Sequence, residues 1–328
     1  MAKKKNNSSQ HYTYKTRDRK NVKSQRRAPK ESALRPYEDA NGIVLEIFQS
    51  QVRVRRIDHP TEKDFLCFYR RGILTQTSST GFRERTPLCV GDRVVLEGNG
   101  EQAVVVARCE RRNFLARQAP GKEGKQVHLL AANVDRVVIV ASAGEPAFSP
   151  GLVDRFLVAC QAQEIPTLLV VNKMDLHSGN FASAGSWKFY EENLEIPVFP
   201  VSVKDGEGVE QLKEAIDGLE VVFCGHSGVG KTSLLHHIFD RKVGRVGTVS
   251  SQTGKGRHTT TGAVMVGTLR GTTIIDTPGI RSFMPVGISA DRLIEFFPDL
   301  SAEGLENEGA FRHNSYQNLL ESIQGGDG

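Results

Sequence analysis

Gly225-His226-Ser227-Gly228-Val229-Gly230-Lys231-Thr232, followed by Ser233, fits the pattern G-x4-G-K-[ST]. Backbone N–H groups of such a loop, backed by a helix N-terminus, cradle phosphate oxygens, and the glycines let the backbone come close. Lys231 then reaches the β- and γ-phosphates, and the Thr232 hydroxyl ligates Mg²⁺. A second run is Asp276-Thr277-Pro278-Gly279. Its Asp276 carboxylate can serve Mg²⁺ directly or through water, and the Gly279 N–H can touch a γ-phosphate. A third, Asn172-Lys173-Met174-Asp175, suits a guanine base. Asp175 accepts from the ring N1–H and the exocyclic amino group, a donor pair that adenine lacks. The Lys173 stem covers the ring plane and Asn172 braces the loop. Ser202 and Val203, further along, can offer a backbone N–H to guanine O6. The three runs together in one chain are expected by chance on the order of once in 10⁴ chains or less. They point to GTP or GDP with Mg²⁺.

Each run needs a strand to end on. Apolar stretches at 134–142, 166–173, 196–202, 219–225 and 272–279 read as buried strands, and 152–163, 208–216 and 231–239 as helices. The alternation predicts an α/β fold with a mostly parallel sheet covered on both faces. The base-reading residues precede the phosphate loop, the reverse of the usual order in a P-loop GTPase. That is a circular permutation, with 204–220 as the new join. In front, five short strands at 42–48, 51–57, 65–69, 92–97 and 102–108 suit a small OB-fold β-barrel. The expected layout is a disordered basic tail (1–36), an OB-fold RNA-binding barrel (37–118), the permuted GTPase domain (119–295) and a reduced helical extension (296–328).

Charge is divided unevenly. Residues 1–36 hold twelve Lys and Arg against two acids, a net of +10, whereas the other 292 residues carry 31 basic and 36 acidic side chains. A basic arm on an acidic body implies a polyanionic partner, RNA first. Within the barrel segment Arg53, Arg55, Arg70, Arg71, Arg83, Arg85, Arg108, Arg111 and Arg112 supply guanidinium for phosphate contacts and base stacking. The five cysteines, Cys67, Cys89, Cys109, Cys160 and Cys224, are scattered with no CxxC pair, which argues against a disulfide framework and a thiolate zinc site. No run nears the ~18 apolar residues of a membrane helix, and the N-terminus has no apolar core of a secretory signal. The expectation is a reduced, cytoplasmic monomer.

Residues 242–262, rich in Gly, Ser and Thr, fall where a γ-phosphate-sensing switch belongs. One of Thr259, Thr260 and Thr261 should close on Mg²⁺. The position after Asp276-Thr277-Pro278-Gly279 is Ile280, whose side chain cannot orient a water, so intrinsic hydrolysis should be slow. His258 can orient the water if the switch swings inward.

The whole resembles the circularly permuted ribosome small subunit-dependent GTPase A (RsgA) family. The resemblance runs from about 40 to 300. It includes Arg112-Asn113-Phe114-Leu115-Ala116-Arg117, Ala132-Asn133-Val134-Asp135, Gly256-Arg257-His258-Thr259-Thr260-Thr261 and Pro278-Gly279-Ile280-Arg281-Ser282-Phe283. It implies an OB-fold that contacts ribosomal RNA and slow GTP hydrolysis stimulated by the small ribosomal subunit. The family's C-terminal zinc module of three Cys and one His has no counterpart here. No cysteine follows Cys224, so no zinc ligands are assigned. The alternative is an RNA-binding module whose nucleotide site is only structural. A metabolic P-loop kinase is disfavoured, because it has no use for the guanine-reading tetrad.

Overall fold

Val52 and Val54 are fully buried while Arg53 and Arg55 between and beyond them stay half-exposed. That period of two builds the N-terminal barrel. A computed structural model describes residues 34–59, 61–69, 74, 83–84, 86–118, 126–176, 184–239, 263–269, 271–277, 283–300 and 310–325. The first strands are β1 (Leu34–Arg35), β2 (Gly42–Ile47), β3 (Gln51–Arg56) and β4 (Phe65–Tyr69). After the two-residue β5 (Arg83–Glu84) come β6 (Arg93–Glu97) and β7 (Val104–Cys109). The sheet order is β1-β7-β4-β3-β2-β6, and a β6–β7 pairing closes it into a barrel. Val44, Val52, Val54, Cys67, Val94 and Val105 fill its interior. Leu34 and Arg35, read from sequence as the end of a disordered tail, pair in parallel with Arg108 and Cys109. The barrel strands end at Cys109. Residues 114–118, grouped with the barrel in the sequence, instead form β8 (Phe114–Gln118), antiparallel to β9 (Gln126–Ala132).

Two of the arginines counted toward RNA are buried. Arg108 is fully covered and donates to Glu84 at 3.2 Å. Arg111 grips Asp92 at 2.6 and 2.8 Å and Glu84 at 3.1 Å. Burial opposes the Arg111 charge, but Asp92 outweighs it and raises its pKa. These guanidiniums are consumed by carboxylates inside the protein. Arg55 is likewise engaged by Asp64 and Arg56 by Asp58.

The remaining strands are β10 (Arg136–Ser142), β11 (Thr167–Asn172), β12 (Val198–Pro200), β13 (Glu220–Gly225), β14 (Val264–Leu269) and β15 (Thr272–Asp276). They form one sheet in the order β12-β11-β10-β13-β15-β14, with only β14 antiparallel. Alternate residues of β10 serve opposite faces. Val137, Ile139 and Ala141 pack toward α1 (Pro150–Gln161) and α2 (Ala184–Leu194), and Val138 and Val140 toward α3 (Val209–Ala215) and α4 (Lys231–Ile238). The first of these cores continues into Leu115 of β8 and Ile43 and Leu45 of β2, so the barrel shares it. Arg93 to Glu220 at 2.5 Å adds an ion pair across that junction.

The last helix, α5 (Ala310–Gln324), lies on α1. Its Arg312 is 2% exposed, bonds the Asp154 carboxylate, chelates Asp299 through two 2.9 Å bonds and lies over the Phe297 ring at 4.4 Å. Tyr190 also donates to Asp154 at 2.7 Å. Burial drives the Asp154 pKa up against the pull of Arg312. Arg312→Leu therefore strands a buried carboxylate and should lower stability by about 3–5 kcal/mol in denaturant titration. Adding Asp154→Asn should recover part of the loss. A stability equal to wild type in Arg312→Leu would show that the network does not hold α5.

Candidate functional site

The motif residues converge because β12, β11, β13 and β15 are parallel and end on one edge of the sheet, the crevice where open α/β sheets bind ligands. The loop 226–230 leaves β13 and enters α4 at Lys231. Gly225 has φ 143°, and a Cβ there would stand 2.1 Å from the Val140 carbonyl of β10. Gly230 has φ 94°, and its Cβ would meet Asn172 Nδ2 at 2.4 Å. Both positions therefore require glycine for close approach.

Asn172 joins the two halves of the site. Its Nδ2 donates to the Val229 carbonyl at 2.9 Å, and its Oδ1 accepts from the Val203 N–H at 3.4 Å. Lys173, at φ 65°, sends its ammonium to the Gly228 carbonyl at 2.8 Å and to the Glu145 carbonyl. Its stem thus spans from the base-reading turn to the phosphate loop. Met174 and Asp175 lie in the short 3-10 turn that follows. Asp175 accepts from Ser202 Oγ at 3.2 Å and sits 3.5 Å from Lys204 Nζ.

Lys231 is 7% exposed, and its Nζ donates to the Gly225 and His226 carbonyls at 2.8 and 3.0 Å. Burial lowers its pKa, with Cys224 and Asp276 pulling the other way. A buried ammonium bonded to neutral carbonyls gains from an incoming anion. His226 Nδ1 lies 2.7 Å from the Ser227 carbonyl. Thr232 and Ser233 are exposed on the first turn of α4. Asp276 ends β15, and Thr277 Oγ1 next to it donates to the Phe223 carbonyl of β13 at 2.9 Å. A hydroxyl and a carboxylate are hard oxygen donors of the kind Mg²⁺ takes alongside phosphate. Gly279, His258 and Thr259–Thr261 lie outside the described residues. Among the described residues, no group of three His, Cys, Asp or Glu is gathered around a possible metal position, and no helix is long and apolar enough to cross a membrane.

Two features escaped the sequence. The turn after β10 closes over the phosphate loop: Glu145 receives Lys173, and Pro146 Cδ stands 3.5 Å from a Cβ built on Gly228. Its signal was Gly144-Glu145-Pro146 at the end of a central strand. On the barrel, Phe48 and Phe68 are 38% and 56% exposed. Phe48 bonds Gln51 through its backbone, and Gln51 pairs with Phe68, so the two rings stand on one outward row.

A family model described as RsgA GTPase matches residues 108–285. The small ribosomal subunit biogenesis GTPase RsgA of Chlorobaculum parvum is 37% identical over 222 residues, 65% of this chain and 70% of that protein. The chain belongs to the RsgA GTPase family. The member of the same name from Azotobacter vinelandii is 39% identical over 75% of this chain and 68% of its own length. The crystal structure of YjeQ from Thermotoga maritima superposes with a TM-score of 0.63 at 25% identity, covering 87% of this chain and 99% of that one. YloQ, described as a circularly permuted GTPase, gives a TM-score of 0.57 at 22% identity over 87% and 94%. Permuted strand order and GTPase activity thus belong to this RsgA-family chain.

Proposed function

We propose that this chain is an assembly factor for the small ribosomal subunit, which it binds through ribosomal RNA under the control of GTP. The observation that carries the nucleotide half is Asn172, bonded at once to the phosphate loop and to the base-reading loop. In this reading Asn172, Lys173, Met174, Asp175, Ser202 and Val203 hold the guanine end, and residues 225–233 with Gly279 the phosphates. Thr232 and Asp276 hold Mg²⁺, which neutralises charge developing on the transferred phosphoryl group. Lys231 anchors the β- and γ-phosphates, and His258 orients the attacking water. GTP favours the docked state and hydrolysis releases it.

The ribosomal half is supported by the names of the relatives, by the +10 charge of residues 1–36, and by Phe48 and Phe68. Exposed aromatic rings on a barrel face are stacking platforms for unpaired bases. The protein would act in the cytoplasm as a monomer, with GTP or GDP and Mg²⁺ but no zinc. Co-sedimentation with small and large subunits, in GDP or a non-hydrolysable GTP analogue, tests the reading. Binding to the small subunit should require the analogue, and small subunits should accelerate hydrolysis. Removing residues 1–32, which stops short of β1, should weaken that binding and flatten its salt dependence, while GDP affinity stays within about twofold. Equal salt slopes with and without the segment would exclude it as an RNA anchor.

A further inference from the structure

Among the described residues, Phe48 and Phe68 are the two aromatic side chains that stand exposed. The other barrel rings, Phe65 and Tyr69, pack into its interior or against it. A single exposed ring is ordinary. Two on one row are a surface, and the strand register fixes the row. The Phe48 N–H donates to the Gln51 carbonyl at 2.9 Å, Gln51 lies opposite Phe68, and Phe68 lies opposite half-buried Val104 of β7. Residues opposite one another share a face. Phe48 and Phe68 therefore flank β3 and stand two strand spacings apart, about 10 Å. The turn between β2 and β3 is tied down. Tyr69 Oη donates to the Gln49 carbonyl at 3.5 Å, and the Arg53 guanidinium lies 6.0 Å from the Phe48 ring centroid while it bonds buried Glu46.

The surrounding charge says what covers these rings. Arg53 is paired with Glu46 and Arg55 with Asp64, so the row has no free cation for a phosphate. It offers ring faces, on which bases stack. Gln51 adds an amide, with a donor and an acceptor for a base edge. The chain's strongest positive charge lies elsewhere, in the +10 of residues 1–36. The spacing then selects the state of the RNA. Neighbouring bases in a duplex stack about 3.4 Å apart, with their faces covered. Rings about three times that distance apart take bases that have left the stack.

We propose that Phe48 and Phe68 form a two-ring site for unpaired ribosomal RNA, each ring stacking one base of a splayed single strand, and that duplex RNA does not enter it. The site rests on the reading that the partner is ribosomal RNA, and adds the strandedness of the segment bound.

The test uses the full chain and an RNA of about 12 nucleotides carrying 2-aminopurine, free or annealed to its complement. Affinity is measured by anisotropy across a range of salt, with small-subunit co-sedimentation and thermal melting alongside. Phe48→Ala and Phe68→Ala should each weaken single-strand binding about tenfold and reduce quenching of the 2-aminopurine. The double variant should lose about a hundredfold, since separated sites add. Duplex affinity should stay within about twofold, and the salt slope should not change, because no phosphate contact is removed. Phe68→Tyr should bind as wild type, whereas Phe68→Leu, apolar without a ring, should not. Wild-type single-strand affinity in the double variant, an equal loss on duplex, a changed salt slope, full binding by Phe68→Leu, or a wild-type dimer that Phe68→Ala dissociates would overturn the proposal. Should an alanine variant fail to fold, Phe68→Leu against Phe68→Tyr decides, and equal binding by the two overturns it. Small-subunit binding retained in full by the double variant would remove the site and leave the ribosomal partner standing. Ring-dependent single-strand binding by a wild-type chain that does not sediment with small subunits would count against the ribosomal partner alone.

Discussion

Lys231→Ala is expected to leave the protein folded and to slow GTP hydrolysis by about 10²–10³-fold, the usual scale for removing one donor from developing phosphate charge. Among the described residues the ammonium bonds the Gly225 and His226 carbonyls alone, at 2.8 and 3.0 Å. Those carbonyls border the crevice, where water can replace the lost donor. The buried anchors of α4 are Leu234, Leu235 and Ile238, on the next turns, and alanine is the better helix former at position 231. A stability change under about 1 kcal/mol follows. Burial already lowers the Lys231 pKa, so the free site holds this charge at a cost that a phosphate would relieve. Thermal melting together with single-turnover hydrolysis checks both halves. Wild-type turnover in a folded Lys231→Ala would remove residues 225–233 from the reaction.

Those residues were legible because their chemistry is local. A phosphate loop needs its glycines, lysine and threonine within eight positions, and the guanine tetrad needs four in a row. Parallel strand order then follows from the alternation of strand and helix. What stayed hidden depends on distance in the chain. Arg108 and Arg111 look like free guanidinium in the sequence, yet Glu84 and Asp92 reach them across the barrel and bury them. The edge strand β14 passed unnoticed because it sits among Gly- and Thr-rich neighbours and owes its pairing to β15 through an irregular register at Met265 and Gly267. β8 and β9 were missed because their apolar residues serve a core shared with α1 and β10, so neither strand reads as part of a separate domain. The same holds for α5. The sequence predicts a reduced helical extension over 296–328, but the anchor of α5 is Arg312, whose partners Asp154 and Asp299 stand 158 and 13 residues away.

Asp175→Asn should weaken GTP binding by about 10²-fold and invert the preference between guanine and xanthine nucleotides. The carboxylate offers two acceptor oxygens to two guanine donors, each such charged bond being worth about 1.5–3 kcal/mol. The amide keeps one acceptor and turns an N–H₂ group toward a donor. Xanthine carries a carbonyl where guanine has its amino group, so it accepts from that N–H₂ and the mismatch is removed. The substitution preserves shape. Ser202 Oγ, 3.2 Å from Asp175 Oδ1, can still donate to the amide oxygen, whereas the attraction of Lys204 at 3.5 Å is lost. That pair is exposed on the lysine side, and its loss is a minor effect. Competition binding with GTP, XTP and ATP measures the outcome. Equal ATP and GTP affinity in the wild type, or unchanged GTP preference in Asp175→Asn, would show that the base is read elsewhere. XTP should also be hydrolysed by the variant at close to the wild-type rate for GTP. In the proposed reading Asp175 meets the base end of the nucleotide, while Lys231, Thr232 and Asp276 serve the phosphates and are left unchanged.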